Sequence, residues 1–385
     1  MPIIRTLLPF GLGVIPYLAL LLAILLAYQT WLHNAPQKRW LRWMGLAWSA
    51  SDAALLLALP LLGLSFGPSA LPLFMASAGR LLLTLGVHYP LRWQRKFKGP
   101  PSARRLQAAQ AFWLALNLGM SALIAYSLYV EPFALQTTYL EWRGPAALRI
   151  VQLSDIHVER LTRREQQMLA EVEALAPDLI LLTGDYVNLD HRDDPLTRQE
   201  ARRLLAQLHA PLGVYAIPGT PIVDTPPVLE EVFQGLDITL LLDQLVSIPL
   251  SIPLSIPLPQ GALTLLGVVN TRDFARDQAA LARLMSQAAP GSYTILLYHN
   301  PDLLDEAARV GVDLYLAGHT HGVQIRLPFY GALITGSRFG KRFEMGQYTQ
   351  GPTTLYLSRG IGMEGLNMPR ARLLSPPEIV VIDWK

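Results

Sequence analysis

Carboxylates and imidazoles recur along this chain at spacings that suit a metal ion. Asp155 and His157 lie in Ser154-Asp155-Ile156-His157, Asp185 in Gly184-Asp185, His299 in Tyr298-His299, and His319 and His321 in Gly318-His319-Thr320-His321. Asp-x-His and His-x-His each place two donors on one short stretch. Carboxylate oxygen with neutral imidazole nitrogen is a donor set that zinc, manganese and iron accept. Singly these signals are weak, since Gly-Asp is commonly a turn and a lone histidine commonly structural. The ordered set is what points to metal.

Each fragment follows an apolar, β-prone run: Leu148–Leu153, Leu179–Thr183, Tyr293–Tyr298 and Val312–Ala317. The donors therefore belong at the carboxyl ends of strands, where open α/β sheets build their sites. Between these runs, Leu161–Ala176, Leu196–Leu208, Pro226–Phe233, Gln278–Ala288 and Asp302–Val310 read as helices, and Val214–Ile217 as a short strand. Strands alternating with helices, then more β-like segments toward the end, predict a layered α/β sandwich.

The order Asp-x-His, Gly-Asp, lone His, Gly-His-x-His resembles the calcineurin-like metallophosphoesterases, in particular their membrane-anchored bacterial branch. The likeness runs from about Glu131 to the end, and its most specific stretch is Gly318–Pro328, followed by Ser358–Gly362 and Pro376–Ile379. The resemblance implies an αββα sandwich of two sheets flanked by helices. It implies two divalent ions (Mn, Zn or Fe), one held by Asp155, His157, Asp185 and His321, the other by Asp185, His299 and His319. Asp185 then bridges, and water activated between the ions hydrolyses a phosphate ester or diphosphate.

Members of that family usually carry Gly-Asn-His-(Asp/Glu) between the Gly-Asp and the lone His. Here the corresponding stretch reads Gly219-Thr220-Pro221-Ile222. A hydroxyl replaces the amide ligand, leaving water to fill the second ion's vacancy, and a proline replaces the catalytic histidine. Asn188, just beyond the bridging carboxylate, is the expected partial substitute in catalysis, with a turn residue as the alternative. Asp224, just past the altered motif, is the lesser candidate for the same substitution and is expected rather to cap a helix or sit in a solvated loop. Arg326 is the candidate substrate-binding cation, and Arg338, Lys341, Arg342 and Arg359 form either a basic rim or a solvated face.

The first 130 residues are of another composition, rich in Leu, Ala and Gly. Spans at Leu7–Trp31, Gly45–Phe66, Leu71–Tyr89 and Ala108–Val130 each approach the ~20 residues that cross a bilayer. They predict a four-helix transmembrane region over residues 1–130, a connector over 131–147 and a metallophosphoesterase-like domain over 148–385. Asp52 and Arg80 interrupt two spans and are the expected ion pair. Basic residues gather in two loops, Lys38–Arg42 and Arg92–Arg105. The positive-inside rule puts those loops in the cytoplasm, so the protein reads as multi-pass in the cell membrane with its catalytic domain outside.

The net charge is +3 and cysteine is absent, which excludes disulfides and thiolate metal sites. No Walker loop, nucleophile elbow or nucleic-acid module is present, so nucleic acid is not an expected partner. The expected partners are the lipid bilayer and a phosphorylated, lipid-like substrate. The competing function is a degenerate phosphoesterase that binds metal or ligand and serves as a membrane partner or sensor. A tetrapeptide repeated three times, Ser247–Leu258, has proline at every fourth position and predicts an extended edge strand or loop.

Overall fold

Successive residues of a strand face opposite sides of its sheet, and in the second half of this chain both sides are apolar. Ile150, Leu179, Leu181, Leu265, Ile295 and Leu316 share one core. Their chain neighbours Val151, Ile180 and Leu182 belong to a second, and Leu266, Leu296 and Ala317 to a third. Three cores on two sheets require four layers, with helices covering each outer face.

The computed structural model describes residues 47–48, 50–52, 54–55, 70–142, 147–250, 262–332, 335–364 and 370–384. Among them, the first sheet contains β1 (Gln136–Trp142), β2 (Leu148–Leu153), β3 (Leu179–Leu182), β4 (Val214–Ala216), β5 (Thr239–Leu240) and β12 (Glu378–Trp384), in the order β1-β12-β2-β3-β4-β5. The second contains β6 (Gln244–Pro249), β7 (Ala262–Gly267), β8 (Tyr293–Leu297), β9 (Leu314–Ala317), β10 (Gly346–Gln350) and β11 (Thr353–Leu357), in the order β10-β11-β9-β8-β7-β6. Both sheets are mixed. The inner strands β2, β3 and β4 run parallel, as do β7, β8 and β9, so the loops after them open on a common edge.

Helices α3 (Arg163–Leu175), α4 (Pro195–Leu205) and α5 (Pro226–Phe233) cover the first sheet through Met168, Val172, Leu204 and Val232. Helices α6 (Phe274–Met285) and α7 (Leu304–Val310) cover the second through Leu281, Leu284 and Ala307. At their starts, Thr162 and Glu165 form a reciprocal capping box, and Asp194 and Asp273 cap α4 and α6. The first repeat unit, Ser247–Leu250, enters β6, an edge strand that tolerates Pro249. The rest of the repeat lies outside the described residues.

The chain divides near Tyr129 into two compact units. In the first, helices α1 (Ala70–Lys98) and α2 (Ala103–Tyr129) are described, together with short helical pieces around Trp48 and Asp52. The described residues hold one helical run, Ala103–Phe133, long and apolar enough to cross a membrane. Of the four expected spans, Ala108–Val130 lies in that run. Spans Leu7–Trp31 and most of Gly45–Phe66 fall outside the described residues, and Leu71–Tyr89 lies within α1. Arg80 makes a bidentate pair with Asp52 at 2.6 Å, and its remaining donors reach Asn117 and Ser121. The pair is thereby satisfied in a buried setting.

Leu316 is fully buried between the sheets. Leu316→Ala should therefore cost about 2–5 kcal/mol, read from chemical unfolding of the full chain by tryptophan fluorescence.

Candidate metal centre

The loops after five strands converge. Asp155 and His157 follow β2, Asp185 follows β3, Thr220 follows β4, His299 follows β8, and His319 and His321 follow β9. They form two donor clusters. Asp155, His157 and His321 make the first, and Asp185, His299 and His319 the second. In the first, the Nε2 atoms of His157 and His321 are 3.1 Å apart, and His321 Nε2 is 3.4 Å from Asp155 Oδ1. One oxygen joins the clusters: Asp185 Oδ2 lies 3.6 Å from His157 Nε2 and 3.2 Å from His299 Nε2. The other carboxylate oxygen, Oδ1, accepts the Thr220 backbone N–H at 2.6 Å, which turns Oδ2 toward the histidines.

Bringing so many side chains to one point strains the backbone. Asp155, His157, Asp185, His319 and His321 all have positive φ, between 45° and 72°. Such left-handed conformations are uncommon outside glycine and asparagine, and each costs on the order of 1–3 kcal/mol when the surrounding structure enforces it. Two glycines permit the closest approaches. A Cβ on Gly219 would sit 2.2 Å from Asp185 Oδ1, and one on Gly318 would sit 2.1 Å from Asp155 Oδ2.

Ring orientation follows from the outer nitrogens. His157 Nδ1 faces the Val187 carbonyl at 3.2 Å and His299 Nδ1 the Thr183 carbonyl at 2.7 Å, so both rings aim Nε2 inward. Glu364 stands 3.5 Å from His157 Nδ1 on the same side. Burial pulls the His299 imidazolium down, but the Asp185 charge and hydrogen bond override it and push the group up to about 10. Burial likewise raises the Asp185 carboxyl, and the His299 charge and hydrogen bond more than reverse this. Burial and the His299 charge bring His319 down to about 4. The residues therefore fit divalent ions: buried oxygen and nitrogen donors converge, and the outer nitrogens of His157 and His299 face backbone carbonyls.

Three of the residues singled out in the sequence have partners from distant segments. Asp224 is neither solvated nor a helix cap. Its Oδ2 accepts the backbone N–H groups of Asp185 (2.8 Å) and Gly219 (2.7 Å), and its Oδ1 accepts that of Tyr186 (3.1 Å). One carboxylate thus joins the loop after β3 to the loop after β4. Burial and the neighbouring Asp185 charge raise it to about 7. The acid lies two places beyond the position at which the usual motif has one, a signal the sequence offered. Asn188 is held at both ends of its amide, by Met363 O at 2.9 Å and Asp190 N at 3.0 Å, and caps a short turn. Arg326 pairs with Glu344 at 2.8 Å and donates to Gly322 O.

Lys341, Arg342 and Arg359 also form ion pairs, with Glu344, Asp305 and Glu378. Arg338 does reach the site. With Arg272 it lines a cavity of 460 Å³ that opens beside Thr220 and His319. A larger cavity of 780 Å³ adjoins it at Asn270, walled by Pro221, Leu229, Phe233, Ile238, Leu240 and Leu242. Neither Arg272 nor the apolar wall carried any motif.

Asp224→Ala orphans three buried N–H groups, at about 1–3 kcal/mol for each left unsatisfied, so both unfolding midpoint and metal retention after dialysis should fall. Gly219→Ala should lose metal retention, because the added methyl displaces Asp185.

With the geometry in place, comparison with known proteins is informative. Residues 148–323 match the family model for calcineurin-like phosphoesterases. The chain is 32% identical over 268 residues to the uncharacterized metallophosphoesterase YkuE of Bacillus subtilis (strain 168), covering 68% of this chain and 89% of the relative. It is 28% identical to the UDP-2,3-diacylglucosamine pyrophosphatase LpxG of Chlamydia muridarum, over 66% and 90% of the two chains. It is 27% identical to the phosphodiesterase YaeI of Escherichia coli (strain K12), over 73% and 98%. Donors, fold and relatives agree, and the chain belongs to the calcineurin-like metallophosphoesterases, hydrolases acting on phosphate esters.

Proposed function

We propose that this protein is a membrane-tethered, metal-dependent phosphoesterase that hydrolyses a phosphate ester or diphosphate borne by an amphiphile. The observation that carries the reading is the position of Asp185 Oδ2, within reach of both donor clusters. Two divalent ions bound there would supply Lewis acidity toward phosphate and a nucleophilic water near neutral pH. Asp155, His157 and His321 would hold one ion, His299 and His319 the other, and Asp185 both.

The surroundings favour a substrate with an anionic head and an apolar body. Arg272 and Arg338 line the cavity next to His319, where a phosphate would meet their charge. The adjoining apolar cavity offers room for acyl or similar groups. The name of the relative LpxG states a diphosphate and two acyl groups. A tether is supported by the apolar run Ala103–Phe133 and by the cluster Arg92, Arg95, Lys96, Lys98, Arg104 and Arg105 just before it. We read the catalytic unit as extracytoplasmic on the same grounds.

Pro221 brings no proton donor to the leaving group. A missing general acid costs about 10²–10⁴ in rate, and the cost falls on poor leaving groups. Hydrolysis of aryl phosphodiesters and monoesters by the purified full-length protein with added manganese should therefore accelerate steeply as the phenol becomes more acidic. Asp185→Asn should abolish it. Pro221→His should raise the rate for poor leaving groups by up to about 10²-fold and leave activated esters nearly unchanged. Folded, metal-loaded protein with no turnover above Asp185→Asn would instead show a binding role, the reading that Thr220-Pro221 favours.

A further inference from the structure

We infer that the Thr220 hydroxyl is itself a metal ligand, completing the second donor cluster where the family motif carries an asparagine. This deepens the two-ion reading above and rests on it. Sequence reasoning left the position to water; the side chain's placement argues otherwise.

Thr220 Oγ1 is 3.1 Å from Asp185 Oδ2, 3.2 Å from His299 Nε2 and 3.3 Å from His319 Nδ1. Asp185 Oδ2 and His299 Nε2 are themselves 3.2 Å apart. A tetrahedron with donor–metal distances of about 2.0 Å has edges of about 3.3 Å. Four of the six edges of such a figure are thus present, and Asp185, His299 and His319 each offer a ligand atom to one group whose atoms lie within 4.8 Å of one another. A hydroxyl has one proton to give, and here it faces a carboxylate oxygen and two imidazole nitrogens at nearly equal distance. A cation among the four would accept one lone pair from each donor atom.

The backbone fixes this placement. The Thr220 N–H is tied to Asp185 Oδ1, and the Thr220 carbonyl accepts from both Val223 N (2.8 Å) and Asp224 N (2.9 Å). Gly219 lets the loop approach Asp185 closely enough for a short side chain to reach. Thr220 and His319 also border the 460 Å³ cavity, so exogenous oxygen can join the ion from that side.

The test is cobalt(II) titration of metal-free, full-length protein, followed by visible absorption, which reports coordination geometry, and by metal content after dialysis. Wild type should bind two ions. Thr220→Val should keep the first at unchanged affinity, weaken the second by at least about tenfold and alter its spectrum, while Thr220→Ser behaves as wild type. Intact binding of the first ion certifies that the variant is folded; should Thr220→Val not fold, Thr220→Ala against Thr220→Ser makes the same comparison. A variant without the hydroxyl that binds both ions with wild-type affinity and spectrum overturns the inference. A wild type that binds fewer than two ions fails the two-ion reading itself, and Thr220 with it.

Discussion

One oxygen atom organises this protein's catalytic unit. Asp185 Oδ2 must be close to imidazoles from both sheets, and it is buried. A buried carboxylate is tolerated only where positive charge or several hydrogen bonds meet it. Most features around the site serve that requirement. Thr220 N–H takes the unshared oxygen, and Asp224 ties the loop that carries Asp185 to the loop that carries Thr220. The outer nitrogens of His157 and His299 are anchored on carbonyls, so their inner nitrogens cannot turn away.

The sandwich makes this convergence affordable. Parallel inner strands in two facing sheets present their carboxyl ends along one edge, and three apolar cores hold those ends rigid. Rigidity matters because five of the six candidate ligand residues have left-handed backbone, which relaxes unless the framework enforces it. Strain, close glycines and buried charge are different expressions of one demand, that donors from separate strands meet within the radius of an ion. The resulting site is poor as a bare protein cavity and suited to cations.

Much of this was legible in the sequence because continuous apolar, β-prone runs are local signals. The runs ending at Leu153, Thr183, Tyr298 and Ala317 located the strands, and the residues immediately beyond them located the donors. What was not legible depends on contacts between distant segments. Asp224 sits among prolines and resembles a loop acid until the fold places it beneath Asp185. Arg326 and Asn188 had suggestive positions, yet Glu344 and Met363, close in space but remote in sequence, engage them. Arg272 belongs to no motif, and only the meeting of its loop with that of Arg338 gives it a cavity to line. In the amino-terminal unit, hydropathy suggested four spans, whereas the described residues contain one run of that kind.

The replacement of the usual Asn-His pair by Thr220-Pro221 divides the site into a part kept and a part lost. Candidate donors for two ions remain, while the histidine of the usual motif is gone. The central claim is that Asp185 bridges two ions, and X-ray absorption on the full-length protein loaded with two equivalents of zinc or manganese tests it most directly. A metal–metal vector at about 3.5–4 Å, absent in Asp185→Asn, is the predicted result. Two bound ions with no such vector, or the same vector in Asp185→Asn, would contradict the account.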